Sequence, residues 1–328
     1  MRIAVTGSIA ADHLMVFPGR FADQLIPDQL AHLSLSFLVD GLEVRRGGVA
    51  ANIAFGLGSL GLGPQLVGAV GSDFAEYEVW LKEHGVDTST VRVSPQRQTA
   101  RFMCITDQDA NQIAAFYAGA MEEAADIDLT LLAGMPQVRP DLVLICPNTP
   151  EAMVRHTQDC RRLGLPFAAD PSQQLARLDG EQARELVDGA CWLFTNQYEA
   201  ALLLERTQWD RDHLLSKVGT WVTTLGPVGV RVDRAGRPSL TVPAVPDTPV
   251  VDPTGVGDAF RAGFLTGIAR GLPTESAARL GCVVACAALS VVGSQSYHLT
   301  PADLLATAAR AYGQDAADRL ASAVGRRA

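Results

Sequence analysis

Lysine is almost missing from this chain of 328 residues: Lys82 and Lys217 are the only two, and arginine carries the rest of the positive charge. Lys and Arg together number 27 against 36 Asp and Glu, a formal net charge of −9. Nucleic-acid and anionic-membrane surfaces need clustered basic side chains, so the charge balance argues against both as partners. No Gly-Lys-Ser/Thr occurs anywhere, which excludes a Walker A phosphate loop. No run reaches eighteen uninterrupted apolar residues. The most apolar stretch, "GCVVACAALSVVG" (281–293), is too short to span a bilayer and reads as a buried helix. The six cysteines, Cys104, Cys146, Cys160, Cys191, Cys282 and Cys286, form no CxxC pair. They read as small buried thiols of a reducing compartment rather than disulfides or metal ligands. The opening "MRIAVTGSIAADHL" is interrupted by Gly7, Ser8 and Asp12 and does not read as a signal peptide, so a cytoplasmic location is expected.

What is present is a chain 48% hydrophobic, ample for a large core. Strand candidates are "RIAVTG" (2–7), "PQLVGAVG" (64–71), "DLVLICPN" (141–148), "PFAADPS" (166–172), "CWLFTN" (191–196) and "WVTTLG" (221–226), with helical patterns between most of them. That alternation predicts βα units: a doubly wound, mostly parallel α/β sheet covered on both faces. Ligands of such sheets bind beyond the carboxyl ends of the strands. Two regions break the rhythm, 13–46 and 97–118, the second reading as two alternating strands turned at Asp107–Asn111. They predict a small β-sheet serving as a lid, on a core made of 1–12, 47–96 and 119–328. The proline-rich 236–253 predicts an extended edge strand.

"GLGSLG" (56–61) fits a dinucleotide fingerprint, but Val49, Ile53, Leu57 and Leu60 already run at helical spacing through it. The glycines therefore belong to the end of a helix, and the fingerprint is rejected. "DPTGVGDAFRAGFLTG" (252–267) carries more. Phe260, Phe264 and Ile268 recur every four residues, so a glycine-rich turn opens a helix with Asp258 at its start. Backbone N–H groups at such an opening form an anion site. A helix cap accounts for one Asp, not for two glycines beside it. In a phosphoryl transfer the N–H groups hold developing charge and Asp258 is the base for an attacking hydroxyl.

"TNQYE" (195–199) puts Asn196 at a strand end and Glu199 three residues on. The pair reads either as oxygen ligands for Mg²⁺ or as a helix cap with its capping-box acid. "TTLGPVGV" (223–230) is a Gly-x-x-Gly turn, a hairpin or a nucleotide contact. "RRGGVAANIAFGLGSLG" (45–61) places paired glycines before a helix, with Gly48 open to close approach and Asn52 in the first turn. Ser8 and Asp12 follow the first strand, and "DPSQQLAR" (170–177) offers Gln173, Gln174 and Arg177 at another strand end.

The two glycine stretches, with "NQYE" between them, resemble the paired signatures and N-x-x-E motif of the ribokinase (PfkB) family of sugar and nucleoside kinases, across essentially the whole chain. The resemblance implies Mg·ATP as phosphoryl donor and Asp258 as catalytic base. It implies an anion hole from the backbone of Gly255, Val256 and Gly257, and Mg²⁺ organised by Asn196 and Glu199 through water. It further implies nucleotide contacts from Asn196, Thr224, Gly226 and Gly229, and a monovalent cation, K⁺, at Asp252 and Thr254. "AVTGSIAADHLM", "LSLSFLVD" and "FAADPSQQLARL" look most like bacterial adenosine kinases of the actinobacterial type. The family resemblance implies that Asp12, Gly48 and Asn52 bind the substrate's hydroxyls, with Ser8 beside them; on the adenosine-kinase likeness Gln173, Gln174 and Arg177 line the substrate pocket, and Phe102 and Phe116 flank a purine. That likeness also implies a homodimer through the lid, with Ser36 and Phe37 reaching the neighbouring site. The expected reaction is phosphorylation of adenosine at its 5′-hydroxyl, giving AMP in purine salvage. A ribose or fructose kinase is the nearest alternative, and a catalytically silent nucleoside or ATP sensor a more distant one.

Overall fold

The structure is a computed structural model that describes residues 1–24, 34–134 and 137–324. Its strands in chain order are β1 (Ile3–Thr6), β2 (Ala10–Val16), β3 (Gly41–Gly47), β4 (Gln65–Gly71), β5 (Val91–Ser94), β6 (Ala100–Thr106), β7 (Gln112–Tyr117), β8 (Leu142–Ile145), β9 (Phe167–Ala169), β10 (Trp192–Asn196), β11 (Trp221–Thr224), β12 (Val230–Asp233) and β13 (Leu240–Val242). Nine of them form one sheet in the order β13-β12-β11-β10-β9-β8-β1-β4-β5. The pairs from β5 through β1 to β11 are parallel, while β12 and β13 are antiparallel additions at one edge. All six strand candidates lie in this sheet, and the proline-rich segment supplies the edge strand β13, as expected. β5 and β12, four residues each, are not among the strand candidates, because alternating runs so short do not stand out from the sequence.

Strands buried on both faces explain the near-continuous apolar runs. All seven residues of β4 are buried. Along β1, Ile3 and Val5 join one apolar cluster and Ala4 the other, one on each side of the sheet. The helix Val256–Ala269 packs Phe260 and Phe264 into the first cluster, where Phe264 meets the rings of Trp192 and Phe194 edge-on. The helix Thr274–Leu289, which contains the apolar 281–289, packs beside it. "GLGSLG" forms the end of the helix Val49–Ser59 and the turn after it, as expected from the helical spacing. Cysteine burial holds for Cys104, Cys146, Cys160 and Cys282 only. Cys191 is exposed at the entry to β10 and Cys286 is half-buried, so the expectation of uniformly buried thiols is corrected there. Among the described residues no helix is long and apolar enough to cross a membrane.

The remaining strands form a separate sheet in the order β3-β2-β6-β7. Its β6–β7 hairpin turns where expected: Asp107 Oδ1 accepts from the N–H groups of Asp109 and Asn111 at 3.0 and 2.8 Å. β2 leaves the main sheet only three residues after β1. Residues 25–33 of the expected lid segment lie outside the described residues.

The order of strands reverses between β1 and β8: from β1 the chain builds toward β5, then returns to build from β8 toward β13. Such a switch point opens a crevice at the carboxyl ends. Phe264 is fully buried against three aromatic rings behind that crevice. Phe264→Ala is expected to destabilise the fold by about 3–5 kcal/mol, read from the midpoint of urea unfolding at an unchanged m-value.

Candidate active site

Two helices begin at the crevice. Gly255 caps the helix Val256–Ala269 with φ 74°, a left-handed conformation. A Cβ there would lie 2.5 Å from the Cβ of Ser294, so glycine is required by both conformation and space. Gly257 differs from the sequence expectation: it is helical, and what it provides is room, since a Cβ would stand 2.9 Å from Arg261 Nη1. Gly48 caps the helix Val49–Ser59 with φ 93°, and a Cβ there would meet the Ser8 carbonyl at 2.6 Å. Ser8 Oγ accepts from the Val49 N–H at 3.0 Å, so it tethers that helix start.

Asp258 sits in the first turn of its helix, where the dipole favours a negative group. Its Oδ2 accepts from Asn52 Nδ2 at 2.9 Å. Asn52 Oδ1 in turn accepts from Ser294 Oγ at 3.0 Å and Gln295 Nε2 at 2.8 Å. Gln295 also bonds Tyr77 and accepts from Trp80 Nε1. Burial pushes the Asp258 carboxyl up to about 6, against the opposing pull of the Arg261 guanidinium and the Asn52 amide. A carboxylate poised there can take a proton near neutral pH.

Arg261, one turn beyond Asp258, escaped the sequence reading. It is buried, pairs with Asp170 through Nε at 2.6 Å and Nη2 at 2.7 Å, and donates from Nη1 to the Gly257 carbonyl at 2.9 Å. Burial opposes its charge, but Asp170, Asp258 and Glu199 outweigh that and hold the guanidinium above its ordinary pKa. The signal was present as an Arg on the otherwise apolar face of a helix.

A cleft of about 610 Å³ lies between the small sheet and this loop. Cross-strand register aligns Arg45, Asp12, Phe102 and Phe116 in one row. The next rows on that face hold Glu43, Leu14 and Cys104, then Gly41, Val16, Thr106 and Gln112. The cleft is lined by these rows, with Phe116 and Ala114 outside the lining, by Met15 and Leu42 of the alternate row, and by Asp252, Thr254, Gly293 and Ser294 from the core; Asp258 and Asn52 lie outside that lining. Burial raises Asp12 to about 6, with Arg45 opposing. Phe116 is 50% exposed at the outer edge. Gln173, Gln174 and Arg177 lie on and just beyond the short turn Ser172–Ala176, outside the cleft lining. Gln174 is buried, and Gln173 accepts from the Ser172 hydroxyl at 2.6 Å. Phe37 packs on Phe17 and Phe21 of its own chain, and Ser36 is exposed.

Of the two readings of "TNQYE", the structure contains the cap. Asn196 Oδ1 accepts from the Glu199 N–H at 2.8 Å, and Glu199 Oε2 accepts from the Asn196 N–H at 2.7 Å. The remaining oxygen, Glu199 Oε1, accepts from Ser172 Oγ at 3.3 Å. The set is all oxygen, and Mg²⁺ keeping its own waters could be served by that second oxygen. Among the described residues no cluster of three or more acids, His or Cys stands ready to cage a metal. Gly226 and Gly229 form the tight connection from β11 to the antiparallel β12, with Leu225 N donating to Gly229 O at 2.8 Å, and Thr224 ends β11.

A family model described as pfkB family carbohydrate kinase matches residues 12–301. The Burkholderia thailandensis nucleoside kinase, solved in complex with inosine, superposes with a TM-score of 0.82 at 34% identity, over 95% of this chain and 98% of that one. The Methanocaldococcus jannaschii nucleoside kinase structure superposes with a TM-score of 0.82 at 25% identity, over 94% and 97%. A Methanothermobacter thermautotrophicus nucleoside kinase is 30% identical over 273 residues, 82% of this chain and 86% of its own.

The Asp258 carboxyl yields a stability test. An acid whose folded pKa is raised to about 6 from 3.8 holds its proton more tightly in the folded state. Ionising it therefore costs stability as pH climbs through that window. Asp258→Asn is expected to raise Tm near about pH 8 and to lose that advantage below about pH 4, measured by thermal unfolding of both proteins across pH.

Proposed function

The chain belongs to the pfkB family of carbohydrate kinases and is a phosphotransferase acting on a hydroxyl acceptor; we propose that the hydroxyl is the 5′-hydroxyl of adenosine, with ATP as donor. One observation carries the nucleoside reading: the cleft beside Asp252 and Thr254, at the loop that leads into the Asp258 helix, is walled by a sheet face that sets a carboxylate, Asp12, beside an aromatic ring, Phe102, in one cross-strand row. A ribose diol suits the carboxylate, and a flat base suits the ring. A free sugar has no need of that second wall. The nucleoside kinases of similar fold, one of them bound to inosine, favour the same class of substrate.

In this reading the N–H groups of Gly255, Val256 and Gly257 face the phosphoryl group being transferred, and their partial positive charge meets the charge that develops on it. Asp258 accepts the hydroxyl proton, and Asn52 holds that carboxylate in line. Asp12, Ser8 and Gly48 define where the sugar lies; Phe102, with Phe116 at the rim, meets the base. Gln173, Gln174 and Arg177 stand by the Asp170 strand end and complete the acceptor side. Thr224, Gly226 and Gly229 are the nucleotide side of the crevice. Bound Mg²⁺ would neutralise phosphate charge, with Glu199 and Asn196 holding its water. The small sheet acts as a lid that excludes water as a competing acceptor.

A homodimer through the lid fits its outer face. There the register sets Leu42, Met15, Ile105 and Ile113 in one apolar row and Val44, His13, Met103 and Ala115 in the next. Leu42, Val44 and Ile113 are 62%, 58% and 46% exposed in the single chain. Large apolar patches of this kind are covered in working proteins. The double substitution Leu42→Asp with Ile113→Asp is expected to give a monomer in sedimentation velocity where the parent gives a dimer.

Activity is tested with a panel of adenosine, inosine, cytidine, ribose and fructose, following ADP release. Adenosine is expected to show the highest kcat/KM; a higher value for ribose or fructose sinks the nucleoside reading, and a higher value for another nucleoside sinks adenosine alone. Asp258→Asn is expected to lower kcat by at least about 10³ with little change in KM. Near-normal turnover of that variant would remove the base from the mechanism.

A further inference from the structure

The resemblance assigns Asp252 and Thr254 to a monovalent cation, and the surroundings of Asp252 do not suit one. Its Oδ1 accepts from the Thr254 N–H at 2.9 Å, and its Oδ2 from the Gly293 N–H at 2.9 Å. The same Oδ2 faces Arg45 Nη1 at 3.3 Å. Each of these neighbours presents a positive end. A bare alkali ion needs oxygen atoms converging on it, and it would share this carboxylate with a guanidinium already in place.

We propose that Arg45 serves as the resident cation of the anion-hole loop, taking the place of a free monovalent ion. Asp252 opens the six residues that run through Gly255 to Gly257. Its carboxylate ties that loop to Gly293, and the neighbouring Ser294 both packs on Gly255 and bonds Asn52. Left unbalanced, this negative charge would weaken a nearby site for phosphate. From β3, a strand of the small sheet, Arg45 supplies positive charge that offsets part of it, shared with Glu43 and with Asp12, which faces it on the adjacent strand. Glu43 fixes the guanidinium by accepting from Nε at 2.7 Å and Nη2 at 2.6 Å. Arg45 is thus a positioning residue: it acts through Asp252, and it makes the loop's charge depend on where the small sheet stands. Both cleft walls are then set by one side chain.

The inference rests on the kinase reading, so its test includes a measurement that needs no turnover. The nucleotide-free protein is unfolded thermally in potassium and in tetramethylammonium chloride at equal ionic strength. The parent is expected to show equal Tm in both salts, and Arg45→Gln a Tm that rises in potassium, since an ion bound only by the folded state stabilises it. In kinetics, with whichever acceptor of the panel turns over, the parent rate is expected to change by less than about twofold between the salts, while Arg45→Gln loses on the order of tenfold or more in tetramethylammonium and recovers in potassium. Arg45→Lys, which keeps the charge, is expected to retain most of the activity and no potassium dependence. A parent stabilised or stimulated severalfold by potassium overturns the proposal. So does Arg45→Gln with equal Tm in the two salts, or Arg45→Lys as impaired as Arg45→Gln. If no acceptor supports turnover, the kinase reading fails and the unfolding comparison still decides the role of Arg45.

Discussion

The bond from Asn52 to Asp258 joins residues 206 positions apart, and the site hangs on it. Each stands near the start of a helix that opens at a glycine, so two helix N-termini converge on one crevice. Placing a carboxylate there is favourable for the dipoles, but it buries a negative charge. The Asn52 amide answers one oxygen of that carboxylate, and Ser294 and Gln295 answer the other end of the amide. The chain Trp80–Gln295–Asn52–Asp258 is therefore a run of hydrogen bonds in which each group fixes the orientation of the next.

The same crevice holds Asp170, Asp258 and Glu199 around a single buried cation, Arg261. A guanidinium suits that role because its planar fork meets Asp170 on two nitrogens and still reaches the Gly257 carbonyl with a third. Burial of such a pair adds little net stability. Its worth lies in geometry: the strand end at Asp170 and the helix start at Gly257 cannot drift apart without stranding a charge.

Much of this was legible in the chain because the informative residues are close in sequence. Asp258 with its glycines, the helix through "GLGSLG", the hairpin at Asp107–Asn111 and the edge strand before Asp252 all follow from spacing alone. What spacing could not supply is pairing over distance. Ser294, Gln295 and Tyr77 meet Asn52 or its partner only after the chain has folded. Arg261 reads as a lone charge on an apolar face until Asp170 is opposite it. "TNQYE" admitted two readings because a capping box and a pair of oxygen ligands use the same residues at the same spacing. The structure contains the cap, which spends one oxygen of Glu199 and leaves the other toward Ser172. The Gly-x-x-Gly turn was similarly ambiguous, since a tight hairpin and a nucleotide contact both require it.

In the proposed function, substrate choice is written in a different part of the molecule from catalysis. In that reading, proton transfer and charge stabilisation fall to the helix starts on the large sheet, whose geometry is fixed by a buried core. The cleft face opposite is a row of cross-strand neighbours, Arg45, Asp12, Phe102 and Phe116, drawn from four strands of a small sheet. A two-residue shift of register in β3 or β6 would change which side chain stands beside Asp12 while leaving Asp258 untouched. A single-residue slip would turn that strand's cleft residues outward. Such a sheet can exchange the wall for a base against a wall for a bare sugar without disturbing the phosphoryl chemistry. That independence has one exception, Arg45, which belongs to the specificity face by position and to the anion-hole loop by its contact with Asp252. In the role proposed for it, Arg45 is the point at which recognition of the acceptor and readiness of the loop are made to depend on one another.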